Sequence, residues 1–245
     1  MSNKKINYCI DAGNTQVKVA CFEGDTLFSV EKFTFEELLL NQQIILKINK
    51  ADAIILSSVL SEVKTNQLIS LFPNVLLLTP DLIPHIENNY ETPNTLGLDR
   101  LCNAAFAVEN NKGSGVLVVD IGTCIKFDFV NKQNQYEGGS ISPGVHLRYK
   151  AMNDYTGKLP LINKTEKISL VGSNTEQCLQ SGVINGIASE ITQMINKYTL
   201  EYEGLTTFMT GGDAHLFDIP LKNSIFVHEN LTLEGLFIIL KKYAG

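Results

Sequence analysis

The sequence predicts an α/β protein made of two halves, and three observations lead to that fold class. Short apolar strands alternate with stretches of helical period, which is the pattern of βαβ units with parallel pairing. A polar, glycine-rich break at 110–115 separates the two halves. An apolar strand followed by Asp-x-Gly and a small polar side chain occurs at Asp11 and again at Asp120. We therefore expect two domains, at 1–112 and 113–245.

The first half is predicted to open with a β-hairpin. Its strands are the apolar run at 6–10 and the alternating residues from Val17, which close at the Glu-Gly-Asp turn at 23–25. Thr34 and Glu37 form a capping-box pattern that predicts one helix extending to Asn49. Further strands are expected at 53–59 and 75–79, and further helices at 61–71 and 98–108.

The second half is predicted to begin with an apolar strand at 116–119 that ends at Asp120. A helix at 176–195 contains Gly182 and Gly186 one turn apart, a spacing that lets another backbone approach closely. The remaining elements are a strand at 206–209, a Thr-Gly-Gly-Asp-Ala turn at 210–214 and a last helix at 233–243.

Composition excludes several classes of partner. The net charge of −6 comes with no cluster of Lys and Arg, which argues against nucleic acid. The five cysteines have no C-x-x-C spacing, so we interpret them as reduced thiols. The chain opens without the apolar region of a signal peptide and contains no apolar run of about 20 residues. We expect a cytoplasmic protein with no nucleic-acid or membrane partner. The histidines have no mutual metal spacing and are expected to be structural: His85, His146, His215 and His228.

The repeated Asp-x-Gly turn predicts a phosphate site. A single Asp-x-Gly is common in hairpin turns. A turn alone, however, does not require a carboxylate after a buried strand in both halves of the chain. Glycine lets backbone N–H groups approach an anion, hydroxyl and amide side chains donate to phosphate oxygens, and a carboxylate can hold a cation. Neither a P-loop nor a G-x-G-x-x-G motif occurs. The Gly-Gly turn at 210–214 suits an adenosine group lying against backbone.

Eight motifs in this order resemble the type III pantothenate kinases, within the superfamily of actin, sugar kinases and Hsp70-like ATPases. They are D-x-G-N-T-x-x-K at 11–18, Y-x-x-P at 90–93, G-x-D-R at 97–100, D-x-G-T at 120–123, GGSISPGV at 138–145, TGKLP at 156–160, Asn174-Thr175 before Ser181-Gly182, and TGGDA at 210–214. The resemblance implies two ribonuclease-H-like domains of the actin-like ATPase fold with a cleft between them, and a homodimer. It implies transfer of the γ-phosphate of ATP to pantothenate, giving 4'-phosphopantothenate and opening coenzyme A synthesis.

The resemblance also implies roles for individual residues. Asp99 would be the catalytic base, and ATP would bind with Mg²⁺. The ATP-binding residues would be Asp11, Ala12, Gly13, Asn14, Thr15, Gln16, Val17, Lys18 and Thr123, and the pantothenate-binding residues Tyr90, Gly97, Leu98, Asp99, Arg100 and Thr175. The Arg100 guanidinium can pair with a substrate carboxylate. Alternatives stay open: Asp99 as a helix N-cap, Lys18 as a solvated strand residue and Tyr90 as a half-buried aromatic.

One departure from the family pattern concerns a metal ion. The resemblance implies that Asp120 is associated with a monovalent cation, K⁺ or NH₄⁺. After D-x-G-T the family commonly continues with small and hydroxyl residues, whereas this chain reads Cys124-Ile125-Lys126. Either the Lys126 ammonium stands in for the ion, since it is a compact cation with three donors, or Lys126 is a surface lysine near Asp128 on the same strand face.

Two other functions remain open at this stage. Another small-molecule kinase of the superfamily would keep both phosphate turns, but it would not need Tyr90 and Arg100 for a carboxylate-bearing substrate. A non-catalytic ATP-binding regulatory protein could lose Asp99 without consequence.

Overall fold

A computed structural model describes residues 4–83, 86–111, 113–163, 168–217, 219 and 225–243. The first part of the chain forms β1 (Ile6–Ala12), β2 (Val17–Glu23), β3 (Thr26–Phe33), α1 (Phe35–Leu40), α2 (Gln42–Ile48), β4 (Ala53–Ser58), α3 (Glu62–Leu71), β5 (Val75–Leu77), β6 (Glu87–Asn88) and α4 (Leu98–Asn110). The second part forms β7 (Val116–Ile121), β8 (Cys124–Val130), β9 (Gln135–Pro143), α5 (Val145–Asp154), α6 (Thr175–Glu201), β10 (Thr206–Thr210), β11 (Ile225–Val227) and α7 (Leu231–Tyr243).

The chain folds into two compact units. Unit 1 comprises residues 1–110 and 230–245, and unit 2 comprises residues 111–229. The last helix, α7, is thus part of unit 1, whereas the predicted second domain ran to residue 245. The reason is packing: the ring of Phe237 stacks on that of Phe22 with centroids 4.0 Å apart. A Cβ at Gly235 would lie 2.0 Å from the backbone oxygen of Cys102, so α7 and α4 touch through glycine.

Unit 1 is built on a five-stranded mixed sheet in the order β3-β2-β1-β4-β5. The consecutive strands β1, β2 and β3 pair antiparallel, while β1, β4 and β5 pair parallel. Parallel pairing requires a crossover connection, which α1 and α2 supply before β4 and α3 supplies before β5. The sheet confirms the predicted βαβ units of the first half.

Unit 2 repeats this topology. Its strands follow the order β11-β10-β7-β8-β9, with β7, β8 and β9 antiparallel and β7, β10 and β11 parallel. The long helix α6 makes the crossover between the antiparallel strands and β10. Each unit therefore has three antiparallel strands followed by two parallel ones, and β1 and β7 hold equivalent central positions. The predicted α/β fold class is confirmed.

The helix predicted from the Thr34 capping box is correct at its start and wrong in its length. The Thr34 side chain accepts from the backbone N–H of Glu37, and the Glu37 side chain accepts from that of Thr34. The helical segment breaks at Asn41, whose backbone leaves the helical region (φ −83°, ψ 81°). The backbone N–H of Asn41 donates to the oxygens of Glu37 and Leu38 at the end of α1. Its side-chain oxygen accepts from the backbone N–H of Ile44 at the start of α2.

The cores explain where the cysteines lie. Cys9, Cys21 and Cys102 are buried, Cys124 is partly buried and Cys178 is exposed, and all five are free thiols. Cys9 and Cys102 are fully buried in unit 1 and fill space as small apolar side chains.

Candidate active site

The first Asp-x-Gly turn, here called the first corner (residues 11–18), joins β1 to β2. Asp11 and Lys18 lie opposite each other in the antiparallel register. The Gly13 N–H closes the loop by donating to the Gln16 oxygen at 3.0 Å. Between these two residues, Asn14 and Thr15 are exposed. The corner thus presents amide and hydroxyl donors to solvent beside a carboxylate and a lysine, which is the chemistry of a phosphate site.

A second element of unit 1, the start of α4, carries Asp99 and Arg100. The helix begins at Leu98, so Asp99 is its second residue and lies past the N-cap position. A Cβ at Gly97 would lie 2.5 Å from Asp99 Oδ1. The Asp99 carboxylate therefore lies where a side chain at residue 97 would be, and the glycine leaves that space free.

Both elements belong to unit 1, and Cys102 follows Asp99 by one turn of α4. Burial raises the pKa of the Cys102 thiol well above the ordinary value, and the carboxylates of Asp11 and Asp99 raise it further. The first corner and the start of α4 are thus parts of the same unit.

Arg100 and Tyr90 also form a pair within unit 1. The Arg100 side chain is only 5% exposed, which is unusual for a guanidinium, and its Cζ lies 5.8 Å from the centre of the Tyr90 ring. The backbone N–H of Tyr90 is fixed by donating to Asn88 Oδ1 at 3.0 Å. The two predicted pantothenate-binding side chains are thus neighbours.

The turn between β7 and β8, here called the second corner (residues 120–126), is the equivalent position in unit 2. Asp120 and Lys126 lie opposite each other in the register. Lys126 Nζ is 2.7 Å from Asp120 Oδ2, and the two side chains are only 17% and 14% exposed. Lys126 is therefore not the solvated surface lysine of the alternative interpretation. Asp128, by contrast, is fully buried and accepts from the hydroxyl of Tyr136.

Two glycine-rich turns enclose the second corner. A Cβ at Gly144 would lie 2.0 Å from the oxygen of Gly122, and the Gly144 N–H donates to Thr123 O at 3.0 Å. Gly211 has φ +105°, and a Cβ there would lie 2.2 Å from Ile121 O. The sequence does not indicate these contacts, although Gly144 and Gly211 lie in the GGSISPGV and TGGDA motifs.

The remaining predicted site residues of unit 2 lie on separate elements. Thr123 is exposed in the second corner. Thr175 is the exposed first residue of α6, behind the N-cap Asn174, whose side chain accepts from Gln177 N at 2.9 Å. In the Gly-Gly turn, burial raises the pKa of Asp213, while His215 and His146 lower it.

A network that no sequence signal indicated holds the turn around Gly144. Arg148 on α5 pairs with Glu190 on α6, and its Nε donates to Pro143 O at 2.8 Å. The hydroxyl of Ser142 also donates to Glu190. Glu190 is far in sequence from both Ser142 and Arg148, so only the fold brings them together.

The described residues contain neither a cluster of metal ligands nor a helix that spans a membrane. Among them, no group of three or more His, Cys, Asp or Glu side chains could hold a metal ion. His146, His215 and His228 belong to no such group, and His85 lies outside the described residues. None of the described helices is long and apolar enough to cross a bilayer.

Comparison with known proteins decides the family. The family model described as type III pantothenate kinase matches residues 7–197, which is more than half of the chain. The chain belongs to this family. It is also 39% identical over 243 residues to the type III pantothenate kinase of Christiangramia forsetii, with 96% of this chain and 98% of the relative covered.

Solved structures agree with the fold. A conserved Baf family protein from Campylobacter jejuni matches with a TM-score of 0.64 and 20% identity, covering 96% of this chain and 98% of the other. The inorganic polyphosphate/ATP-glucomannokinase of an Arthrobacter strain matches with a TM-score of 0.50 and 11% identity, covering 98% and 99%. At these identities the likeness shows the shared fold of actin-like ATPases and sugar kinases.

Proposed function

We propose that the chain, as a member of this family, phosphorylates the primary hydroxyl of pantothenate with ATP, and that Asp99 is its catalytic base. The observation that carries the assignment is the buried guanidinium of Arg100, which follows Asp99 in α4 and lies beside the Tyr90 ring in the same unit as the first corner. A corner suited to phosphate, a carboxylate suited to accepting a proton and a cation suited to an acid therefore belong to one unit. Phosphoryl transfer needs this combination of positioning and charge.

The proposed step is a single transfer. The hydroxyl oxygen of pantothenate forms a bond to the γ-phosphorus while the bond from that phosphorus to the leaving oxygen of ADP breaks. The hydroxyl proton passes to the Asp99 carboxylate, which orients the nucleophile and accepts the proton late in a loose transition state. The products are 4'-phosphopantothenate and ADP.

The pantothenate carboxylate is assigned to Arg100. Its guanidinium is buried beside the Tyr90 ring, and a buried guanidinium offers strong, directional hydrogen bonds to a carboxylate. Gly97, Leu98 and Thr175 are proposed as further pantothenate contacts on the basis of the family motif.

The phosphates of ATP are assigned to the first corner. Asn14 and Thr15 are exposed donors there, and Lys18 supplies a positive charge. The remaining ATP-binding assignments follow the family motif: Asp11, Ala12, Gly13, Gln16, Val17 and Thr123. Mg²⁺ fits this site because it is commonly held by one or two carboxylates together with phosphate oxygens. Asp11 would hold it, and when bound it would neutralise charge on the phosphates.

A monovalent cation does not fit at Asp120. The carboxylate is already paired with the ammonium of Lys126 at 2.7 Å. A second cation would meet repulsion comparable to the attraction it gains, each about 4 kcal/mol at 4 Å in an effective dielectric of about 20. No step of the reaction is assigned to such an ion.

A homodimer is proposed from the family and from an apolar groove on unit 2. The groove runs along α5 and α6 and is lined by Met152, Leu179 and Val183 beside Gly182. A Cβ at Gly182 or Gly186 would meet nothing within 4 Å in this chain, so a helix of a second copy has room to approach. Sedimentation equilibrium should give twice the mass of one chain, and Gly182→Gln should lower it toward 27.1 kDa. The reaction is assigned to the cytoplasm, because ATP is available there.

The substitution Asp99→Asn tests the base. It removes the proton acceptor but keeps the shape, so kcat should fall about 100-fold or more while the affinity for ADP changes less than twofold. Turnover is measured by chromatography of ADP and affinity by calorimetry. Asp81→Asn, an exposed carboxylate of the same unit, is the control and should leave kcat unchanged. Unchanged turnover in Asp99→Asn would remove Asp99 from its role.

A further inference from the structure

We infer that Lys126 is a built-in replacement for the monovalent cation of this family, so that the activity of this chain does not depend on K⁺ or NH₄⁺. The inference rests on the proposed kinase function and concerns the charge of the second corner. The inference assigns to this corner one covalently fixed ammonium, that of Lys126, which is hydrogen-bonded to one carboxylate, that of Asp120.

The register of the β7–β8 hairpin places the two charges together. Asp120 and Lys126 are directly opposite each other in the antiparallel pair of β7 and β8. The next pair, on the side toward the turn, is Ile121 and Ile125. The buried neighbour Ile121 and the enclosing glycine turns leave the pair little solvent. The 2.7 Å separation between Nζ and Oδ2 is that of a charge-assisted hydrogen bond. Backbone pairing therefore holds the ammonium at the carboxylate.

The register of an Asp opposite a Lys also occurs in the first corner. In the first corner, Asp11 and Lys18 are also opposite in the register of a hairpin. The sequences are D-x-G-N-T-x-x-K at 11–18 and D-x-G-T-x-x-K at 120–126, so the second corner repeats the whole pattern, lysine included, with one loop residue fewer. Lys126 is therefore part of the corner and not an isolated side chain beside it.

The chemistry of the ammonium suits this replacement. It carries the single positive charge of K⁺ or NH₄⁺, and it presents N–H donors to oxygen atoms as NH₄⁺ does. Because it is covalently attached, its local concentration does not depend on the medium. A free ion is then unnecessary at Asp120, and it is also disfavoured by the ammonium already there.

The test compares the unmodified chain with Lys126→Ala and Lys126→Met at constant ionic strength in choline, potassium or ammonium chloride. ADP is measured directly by chromatography, so that no coupling enzyme responds to the cation. The unmodified chain should vary less than about twofold among the three salts. Lys126→Ala should lose about tenfold or more in choline and regain activity with K⁺, NH₄⁺ or methylammonium. Lys126→Met should lose as much without rescue, because its side chain still fills the space.

A second measurement does not depend on turnover. Potassium should raise the melting temperature of Lys126→Ala above its value in choline by about 2 °C or more, and should leave that of the unmodified chain unchanged. Lys64→Ala, which removes an exposed ion pair with Glu36, is the control and should respond to neither salt.

A tenfold fall in turnover of the unmodified chain in choline would overturn the inference. So would a Lys126→Ala variant that folds and responds to potassium in neither measurement. Absence of pantothenate phosphorylation in every salt would instead contradict the proposed function, and the melting temperatures would still decide the role of Lys126.

Discussion

The two corners share a sequence pattern and a hairpin register but differ in their surroundings. The first corner ends in an exposed loop, with Asn14 and Thr15 open to solvent. The second corner is packed against two glycine turns through Gly144 and Gly211, and its Asp120 is paired with Lys126. The same local motif therefore occurs once in an exposed loop and once in an enclosed turn.

This difference suits the two corners to different tasks. An open corner can bind and release a charged ligand, because its donors lie at the surface. An enclosed corner is held in one geometry and carries its own counter-charge. The two hairpins share a sequence pattern, and the turns packed around them differ.

The largest expected effect is a loss of stability, caused by a substitution in one of the glycine turns that enclose the second corner. Gly211→Ala forces a Cβ to within 2.2 Å of Ile121 O at a residue with φ +105°, so the free energy of unfolding should fall by about 3 kcal/mol. Gly212→Ala is the matched control, since a Cβ there meets nothing within 4 Å. Urea unfolding measures both. Equal stability of the two variants would mean that the corner is not enclosed as described.

The next largest expected effect is on the KM for ATP, caused by a substitution in the exposed first corner. Lys18→Met should raise the KM for ATP about 30-fold, because a charge-assisted contact to phosphate is lost. Added potassium should not restore it, in contrast to Lys126→Ala. Lys32→Met, on the adjacent strand directly opposite Lys18, is the control and should leave the KM unchanged. A normal KM in Lys18→Met would leave Lys18 as a solvated strand residue.

The smallest effect concerns Gly97, the residue that makes room for the Asp99 carboxylate. Gly97→Ala should lower kcat about tenfold, because the new Cβ displaces the carboxylate that now lies 2.5 Å from its position. Stability should change little, since the displaced atom ends a flexible side chain. In an Asp99→Asn background the same substitution should cost much less. Full additivity of the two effects would show that Gly97 acts through something other than Asp99.

Much of this architecture could be predicted from local patterns. The alternation of strands and helices, the Thr34 capping box and the recurrence of Asp-x-Gly each depend on residues close in sequence. The predicted helix to Asn49 was too long because Asn41 caps in both directions, which periodicity does not reveal. Strand β3 was missed because it is an edge strand with no regular alternation of burial.

The surroundings of the two corners depended on contacts between distant residues and were less predictable. The motifs predicted the first corner, Asp99 and Asp120 as site residues, and these stay predictions. The motifs did not indicate that Gly144 and Gly211 pack on the second corner. The pairing of Lys126 with Asp120 was one of two interpretations until the hairpin register was known. The network of Arg148 and Glu190 had no sequence signal at all, because it joins separate helices.

The most direct measurement is phosphorylation by the unmodified chain across a panel of alcohols, with pantothenate, glucose and N-acetylmannosamine as acceptors and ³¹P NMR to identify the product. We expect a phosphate monoester on the primary hydroxyl of pantothenate, formed together with an equal amount of ADP, and no sugar phosphate. A sugar phosphate formed in preference to phosphopantothenate, or ADP released at the same rate without any acceptor, would contradict the proposed function.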